Sequence, residues 1–222
     1  MRELNVRRLG RIGYAQALVL QEQLHEARVA GRIDDTLLLL EHEPVITWGR
    51  AGKKEHLQTP GELLQGLGIE LHDTGRGGDV TFHGPGQLVA YPIVDLKPDR
   101  CDVRRYIRDL EETMIRTASD LGLEAERREG LNGAWIGERK LGSVGVRISR
   151  WVTMHGVALN VGTDLSYFRH IVPCGIANCE MTSLSRELGY AVALPAIEDS
   201  FAMHFAEIFD AHLTDDSAGA SV

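Results

Sequence analysis

The sequence has few cysteines and no long hydrophobic run. Three of its 222 residues are cysteine, namely Cys101, Cys174 and Cys179. An odd cysteine count in a chain without an export signal argues for reduced thiols and against a disulfide framework. No apolar run approaches the roughly 18 residues that a membrane span needs, and residues 1–16 lack the apolar core of a signal peptide. We therefore expect a cytoplasmic protein that makes no membrane contact.

The sequence also lacks an excess of positive charge. It has 24 Lys and Arg against 32 Asp and Glu, a formal net charge of −8. Sequence-independent nucleic-acid binding requires a basic surface, so we do not expect nucleic acid as a partner. The zinc-site spacings C-x2-C and H-E-x-x-H are missing, and no Gly-Lys-Ser/Thr of a phosphate-binding loop follows the glycine-rich residues 75–87. Because these patterns are missing, we expect neither a bound metal nor a nucleotide cofactor.

The hydrophobic pattern predicts one α/β domain. A chain with 43% hydrophobic residues can bury a full core without metal or disulfide staples. Periodicity predicts main helices over residues 14–30, 102–121 and 195–213, a shorter helix over 182–189, and a helical turn over 164–170. It predicts strands over residues 36–40, 45–49, 69–72, 88–93, 124–129, 133–136, 140–149 and 152–161. We expect residues 1–213 to form the domain and residues 214–222 to form a disordered tail.

A single cysteine lies between a proline and a glycine in the stretch IVPCGI at residues 171–176. Pro173 fixes its own φ, and Gly175 permits a backbone conformation that other residues avoid. The pattern predicts a rigid bend that presents Cys174. Most free cysteines are small buried hydrophobic residues, so a reactive Cys174 requires a base or a cation from elsewhere in the chain.

Residues 75–87 contain five glycines in GRGGDVTFHGPGQ. Glycines at this density allow close approach of the backbone to a ligand and leave N–H groups unshielded. The segment therefore indicates a binding loop, although a hairpin with glycine turns explains the same composition. Gly156 interrupts the strand predicted over residues 152–161, and a glycine inside a strand also indicates close approach of a ligand or of another backbone.

Four motifs in order give the chain a family resemblance. With RGGDVTFHGPGQLVAYP at 76–92, GERKLGSVGVRI at 137–148, MHGVALNV at 154–161 and IVPCGI at 171–176, it resembles lipoyl(octanoyl) transferases. The resemblance extends from the first predicted helix to about residue 188. It implies a mixed, mainly antiparallel sheet flanked by helices, as in the catalytic domain shared by biotin and lipoate protein ligases. This fold agrees with the strand-rich middle of the chain.

The resemblance also implies a reaction and its residues. The enzyme would take an octanoyl or lipoyl group from acyl carrier protein, hold it as a thioester on Cys174, and pass it to a lysine of a lipoyl domain. The acceptors would be lipoyl domains of 2-oxoacid dehydrogenase complexes and the glycine cleavage H protein. Lys140 would be the catalytic partner of Cys174. The acyl-binding residues would be Arg76, Gly77, Gly78, Asp79, Val80, Thr81, Phe82, His83, Ser143, Val144, Gly145, Gly156, Val157 and Ala158.

This chemistry is physically consistent with the residues. The thiolate is the nucleophile, and a neighbouring ammonium favours it. Because the donor is already a thioester, acyl transfer to Cys174 needs no nucleotide. His83 and His155 lie inside matching motifs and could give hydrogen-bonding support, and a Cys174–His pair is a second choice to Lys140. A thioesterase that uses the same pair and a non-catalytic acyl-binding or lipoyl-domain-binding module remain alternatives.

Overall fold

The computed structural model describes residues 2–176 and 179–215, with only the backbone described at Cys174 and Asp215. The helices are α1 (Tyr14–Val29), α2 (Gly61–Gly66), α3 (Val103–Ser119), α4 (Leu184–Leu188) and α5 (Leu194–Phe209). The strands are β1 (Arg2–Ile12), β2 (Asp35–His42), β3 (Val45–Trp48), β4 (Glu70–Asp73), β5 (Thr81–His83), β6 (Gln87–Ile93), β7 (Glu126–Arg128), β8 (Leu131–Ile136), β9 (Arg139–Ser149), β10 (Val152–Asn160) and β11 (Ala211–Asp215). Short 3₁₀ helices span Lys54–His56, Leu165–His170 and Pro173–Gly175.

Two sheets organise the part of the chain that the structure describes. The larger is eight-stranded, in the order β11-β1-β2-β6-β10-β9-β8-β7, and only the β11-β1 and β1-β2 pairs are parallel. The smaller has three strands in the order β4-β3-β5. The predicted mixed, mainly antiparallel sheet flanked by helices is therefore confirmed. None of the described helices is both long and apolar enough to cross a membrane.

Helices cover both faces of the large sheet. Along β2, Leu37 and Leu39 join the core formed with α3 and α5, whereas Leu38 and Leu40 join a cluster that includes Ala17 of α1. All four leucines are fully buried. Because strand side chains alternate between faces, an uninterrupted leucine run requires an apolar layer on each side. The strand predicted over residues 36–40 is confirmed as part of β2, and its continuous apolar pattern reflects this burial on both faces.

The two ends of the chain form strands that periodicity did not predict. Strand β1 lies between β2 and β11, with Leu4 opposite both Asp35 and Leu213. The helix predicted over residues 195–213 is wrong at its C-terminal end, because α5 ends at Phe209 and Asp210 follows with a left-handed φ of 50°. The predicted boundary at residue 213 falls inside β11. The rest of the predicted tail, residues 216–222, lies outside the described residues.

Strand β10 passes so close to β6 that it requires a glycine. A Cβ added to Gly156 would lie 2.2 Å from the Ala90 oxygen and 2.7 Å from Pro92 Cδ. We expect Gly156→Ala to lower the free energy of unfolding by about 3 kcal/mol, because a backbone must move to admit the methyl group. Urea unfolding measures the change.

Gly162→Ala is the matched control for Gly156→Ala. Its added Cβ would make only ordinary contact, 3.7 Å from Ser185 Oγ. We expect that control to change stability by no more than about 0.5 kcal/mol. Equal effects of the two substitutions would contradict the close approach of β10 to β6.

Candidate active site

A central cleft opens between the glycine-rich loop and the middle of the large sheet. The space between its lining atoms, together with open solvent at the mouth, is about 470 Å³. The lining residues come from α1, the loop before β5, and strands β5, β6, β9 and β10. They are Tyr14, Arg76, Gly78, Asp79, Val80, Thr81, His83, Tyr91, Ser143, Val144, Gly145, His155, Gly156, Val157 and Ala158.

The floor of the central cleft is one patch of the β9/β10 ladder. The register pairs Ser143 with Ala158, Val144 with Val157, and Gly145 with Gly156. Two motifs that are separate in the sequence therefore lie directly opposite each other. Because the floor is made from small and aliphatic residues, it offers an apolar surface close to the backbone.

The glycine-rich loop is fixed above this floor by backbone hydrogen bonds. The Gly77 N–H donates to the Val146 oxygen of β9 at 2.8 Å. On its other side, the loop accepts bonds from residues 49–51, in which the N–H groups of Gly49, Arg50 and Ala51 donate to the oxygens of Asp79, Arg76 and Gly78. A Cβ added to Gly145 would lie 3.1 Å from the Gly77 oxygen, so the loop crosses the floor at close range.

Arg76 brings a buried positive charge to the cleft wall. The residue is 7% exposed, and its Nη2 donates to the Thr47 carbonyl oxygen at 2.7 Å and to Thr47 Oγ1 at 2.9 Å. Nη1 donates to the Gly77 oxygen at 3.0 Å. The guanidinium therefore joins β3 to the glycine-rich loop and stabilises the loop conformation.

Neutral polar groups form another part of the cleft wall. His42 Nδ1 lies 2.9 Å from the Ile12 carbonyl oxygen, so Nδ1 carries the proton and Nε2 accepts the Tyr91 hydroxyl, also at 2.9 Å. His83 Nδ1 lies 2.8 Å from Gln87 Oε1, and Gln87 Nε2 donates to Asn160 Oδ1 at 2.9 Å. These two chains of hydrogen bonds fix the tautomers and the orientations of both rings.

Burial keeps three imidazoles of this region uncharged. Desolvation lowers the pKa of His42 to about 4 and the pKa values of His83 and His155 to about 3, and nearby Arg76 contributes to the shift at both His83 and His155. His155 also has a left-handed φ of 56°, which is strained for a residue with a side chain. Its buried Nε2 has no hydrogen-bond partner among the described residues.

A β-bulge sets the direction of the Lys140 side chain. Strands β8 and β9 pair Ala134 with Gly142 but Trp135 with Lys140, so Leu141 is the extra residue. Lys140 is 2% exposed, and its Nζ lies 5.1 Å from the centroid of the Trp135 ring, where the ring face stabilises a cation. Lys140 is not among the lining residues of the cleft and lies three positions before Ser143 on the same strand.

The backbone of Lys140 binds the segment that follows Cys174. The Lys140 N–H donates to the Glu180 oxygen at 2.8 Å, and the Lys140 oxygen accepts the Thr182 N–H at 2.9 Å. Arg139 holds the same segment, with two 2.8 Å bonds to the Glu187 carboxylate. Sequence positions about 40 residues apart are therefore fixed to each other at the start of β9.

The predicted bend at Cys174 is confirmed for the backbone. Pro173–Gly175 forms one 3₁₀ turn, and Gly175 has φ 66°, a conformation that favours glycine. A Cβ added to Gly175 would lie 2.7 Å from Asp79 Oδ2, so the bend packs against the glycine-rich loop. The Cys174 side chain and residues 177–178 lie outside the described residues.

The predicted acyl-binding residues come together with two exceptions. Gly77 and Phe82 do not line the central cleft, whereas the other predicted residues do. Phe82 instead stacks on Tyr167, with ring centroids 4.7 Å apart, in the core beneath the small sheet. Tyr14 and Tyr91 line the cleft but were not predicted, since Tyr14 matched the apolar face of α1 and Tyr91 matched a buried strand.

Among the residues that the structure describes, no group of three or more histidine, cysteine or acidic side chains is arranged to hold a metal ion.

Comparison with known proteins gives matches over most of the chain. The sequence model of the lipoyl protein ligase A/B catalytic domain matches residues 13–206. The chain is 52% identical to an octanoyltransferase of Solibacter usitatus, over 95% of this chain and 94% of that protein. It is 47% identical to an octanoyltransferase of Acidobacterium capsulatum, over 93% of this chain and 90% of that protein.

Solved structures share the fold at low sequence identity. A structure of an archaeal lipoylation system, described as a bi-partite lipoate protein ligase and its E2 lipoyl domain from Thermoplasma acidophilum, superposes with a TM-score of 0.75 at 18% identity. That match covers 99% of this chain and 88% of that chain. A biotin protein ligase from Aquifex aeolicus gives a TM-score of 0.54 at 14% identity, covering 95% and 70%. The predicted relation to the biotin and lipoate ligase fold is confirmed.

The neutral imidazoles predict a specific dependence of stability on pH. Because the pKa values of His42, His83 and His155 are lower in the folded protein than the value of about 6.5 in the unfolded chain, unfolding takes up protons at acidic pH. Stability from these groups is fully present above about pH 6.5 and is lost as the pH falls towards 4. Each contributes a slope of up to about 1.4 kcal/mol per pH unit.

Urea unfolding between pH 7.5 and pH 5 measures this slope. The substitution His42→Gln removes one titrating group, and we expect it to flatten the slope below pH 6.5 by about 1.4 kcal/mol per pH unit. Parallel curves for the variant and the unsubstituted protein would contradict a neutral, buried His42.

Proposed function

The chain belongs to the lipoyl protein ligase A/B catalytic domain family, among the octanoyltransferases, and we propose that it transfers the octanoyl group through a thioester on Cys174. The observation that carries this proposal is the contact between the Cys174 bend and the cleft. Asp79 lines the cleft and also lies against the backbone of Gly175. An acyl chain in the cleft would therefore have its carboxyl end available to a residue of the bend.

The central cleft suits the acyl chain. Val144, Val157 and Ala158 supply aliphatic surface, and the pairing of Gly145 with Gly156 lets the glycine-rich loop and β6 approach this floor closely. Complete burial of about seven saturated carbons contributes roughly 5 to 6 kcal/mol. The neutral state of His83 and His155 also fits an uncharged chain, because it avoids an unpaired buried charge beside the hydrocarbon.

Lys140 is the cation that we propose for activation of Cys174. Its ammonium favours the Cys174 thiolate, can protonate the thiolate that departs from the donor and, once neutral, can accept a proton from the acceptor amine. The proposal is supported by the hydrogen bonds that fix Lys140 to residues 180 and 182, on the segment that follows Cys174. The Leu141 bulge and the Trp135 ring define the direction of the side chain.

We propose octanoyl-acyl carrier protein as the donor and lipoyl domains as the acceptors, including those of 2-oxoacid dehydrogenase complexes and the glycine cleavage H protein. The octanoyltransferase relatives support the acyl group, and a structural neighbour is described together with an E2 lipoyl domain. The exposed Arg104 and Arg108 of α3 line an open cavity that also contains Glu111 and Glu129, and these two arginines offer basic side chains to an acidic carrier protein. We propose that the catalytic unit is the predicted domain of residues 1–213, extended to residue 215 because β11 ends there.

A thioesterase that uses the same pair is the second candidate function. It would form the same adduct on Cys174 and release octanoate to water. The two functions differ in the fate of the adduct when a lipoyl domain is present or absent, so one experiment separates them.

Intact-protein mass spectrometry after mixing with octanoyl-acyl carrier protein tests the proposal. We expect an octanoyl adduct on Cys174 that persists until a lipoyl domain is added and then moves to the lysine of that domain. Octanoyl-coenzyme A serves as the matched donor that lacks a carrier protein. Slower acylation from octanoyl-coenzyme A supports acyl carrier protein as the donor. Loss of the adduct as free octanoate without an acceptor would establish hydrolysis, and an adduct retained by Cys174→Ala would exclude the thioester on Cys174.

Acylation of Lys140→Ala across pH tests the role of the lysine. We expect the acylation rate of the variant to rise only at higher pH than in the unsubstituted protein, because the cation that favours the thiolate is gone. Arg116→Ala removes a cation of α3 that pairs with Glu112 on the same helix and is the control. An unchanged pH profile in Lys140→Ala would remove Lys140 from the mechanism.

A further inference from the structure

His56 connects the Cys174 bend to its surroundings through the backbone. The His56 oxygen accepts the Val172 N–H at 2.7 Å, Leu57 and Ile171 form a β-bridge, and the Gln58 N–H donates to the His170 oxygen at 2.8 Å. Residues 56–58 therefore pair with the three residues that lead into Pro173–Gly175. This short ladder sets the direction in which the chain enters the bend.

The side chain of His56 connects the same point to the glycine-rich loop. His56 Nδ1 lies 2.5 Å from Asp79 Oδ2, and the other carboxylate oxygen of Asp79 accepts the Val80 N–H at 2.7 Å. The His56 and Asp79 side chains are 15% and 10% exposed, so water competes little for this contact. A charge-assisted bond in a shielded position is stronger than an exposed one and fixes geometry.

The bend itself rests on this pair. A Cβ added to Gly175 would lie 2.7 Å from Asp79 Oδ2 and 2.9 Å from His56 Cε1. The backbone next to Cys174 is thus in contact with the imidazole and with the carboxylate together. One His–Asp pair touches the turn that carries the cysteine, and its Asp79 lines the cleft.

We propose that His56 and Asp79 are a positioning pair, which holds the Cys174 bend in register with the acyl cleft during acyl transfer. This inference rests on the proposed function. The role requires a hydrogen-bond donor at the place of Nδ1 and an acceptor at Asp79, and it does not require the imidazole to exchange a proton. Without the donor, the bend keeps its 3₁₀ turn but loses its fixed distance from the cleft.

Two substitutions at His56 separate positioning from other roles. His56→Leu removes the donor, whereas His56→Asn keeps an N–H donor close to the place of Nδ1. We expect His56→Leu to slow acylation of Cys174 by octanoyl-acyl carrier protein about 10- to 100-fold, the effect of misplacing a reacting group by about 1 Å. We expect His56→Asn to recover the rate to within about threefold of the unsubstituted protein. The dissociation constant for octanoate should stay within about twofold in both variants.

His204→Leu is the matched control for His56→Leu. It removes another His–Asp pair, with Asp120, in which the histidine side chain is 12% exposed, but it lies on α5 away from the bend. We expect normal acylation from this control. Thermal unfolding of all variants identifies any loss of rate that follows from loss of fold.

Two further measurements test the inference without acyl transfer. These are the alkylation rate of Cys174 by iodoacetamide, mapped by peptide mass, and hydrogen exchange at the Val172 and Gly175 amides. We expect His56→Leu to change the alkylation rate and to speed exchange, and His56→Asn to do neither. If the unsubstituted protein forms no adduct but these changes occur, the proposed function fails and the positioning stands.

Three results would overturn the inference. The first is acylation, alkylation and amide exchange in His56→Leu that match the unsubstituted protein. The second is an equal loss of acylation in His56→Asn and His56→Leu, since the ring itself would then be required. The third is a parallel loss of octanoate affinity, which would place His56 in ligand binding.

Discussion

The pairing register of β9 and β10 is the constraint on which the site depends. It places Gly145 opposite Gly156, so two adjacent positions of the sheet carry no side chain. One glycine admits the glycine-rich loop, and the other admits β6, whose Ala90 oxygen occupies the place of a Cβ. A shift by one residue would turn the side chains of β10 to the opposite face and close the cleft. The cleft is thus a product of backbone contacts.

The chemistry around this floor combines apolar surface with fixed, mostly uncharged polar groups. His42 and His83 have their ring nitrogens committed to the Ile12 carbonyl, Tyr91, Gln87 and Thr47. Arg76 supplies positive charge at the cleft wall, and its guanidinium N–H groups donate hydrogen bonds to Thr47 and Gly77. An uncharged hydrocarbon chain can therefore be held without competing for these hydrogen bonds. The residues of the proposed transfer reaction lie at the margins of the cleft, on the start of β9 and on the bend that contacts Asp79.

Local sequence patterns predicted those structural features that depend on neighbouring residues alone. The leucine run of β2 and the left-handed Gly175 each follow from neighbouring residues. The family motifs also predicted most of the lining of the cleft, because they contain the glycines that allow its close contacts. Strands β1 and β11 were not predicted, since neither has strong alternation. The partner of β11 is β1, about 200 residues away, and β1 lies between β11 and β2.

The remaining features depend on contacts between distant segments. Nothing in the sequence near Lys140 marks Leu141 as a bulge, because the bulge exists only in the pairing with β8. Tyr91 is hidden in a fully buried strand, and its role comes from His42 across the sheet. His56 lies in a stretch without regular pattern, and its importance comes from Asp79 and the bend. Phe82 was predicted to bind the acyl group because it belongs to a family motif, but its side chain packs in the core.

The proposed function requires that the acyl chain occupies the cleft between the glycine-rich loop and the β9/β10 floor. A crystal structure of the octanoyl-bound protein tests it most directly. We expect electron density for the chain against Val144, Val157 and Ala158, with its carboxyl end at the Cys174 bend. Density for the chain in the separate cavity lined by Phe168, Ile171 and Met181, with the central cleft empty, would contradict it.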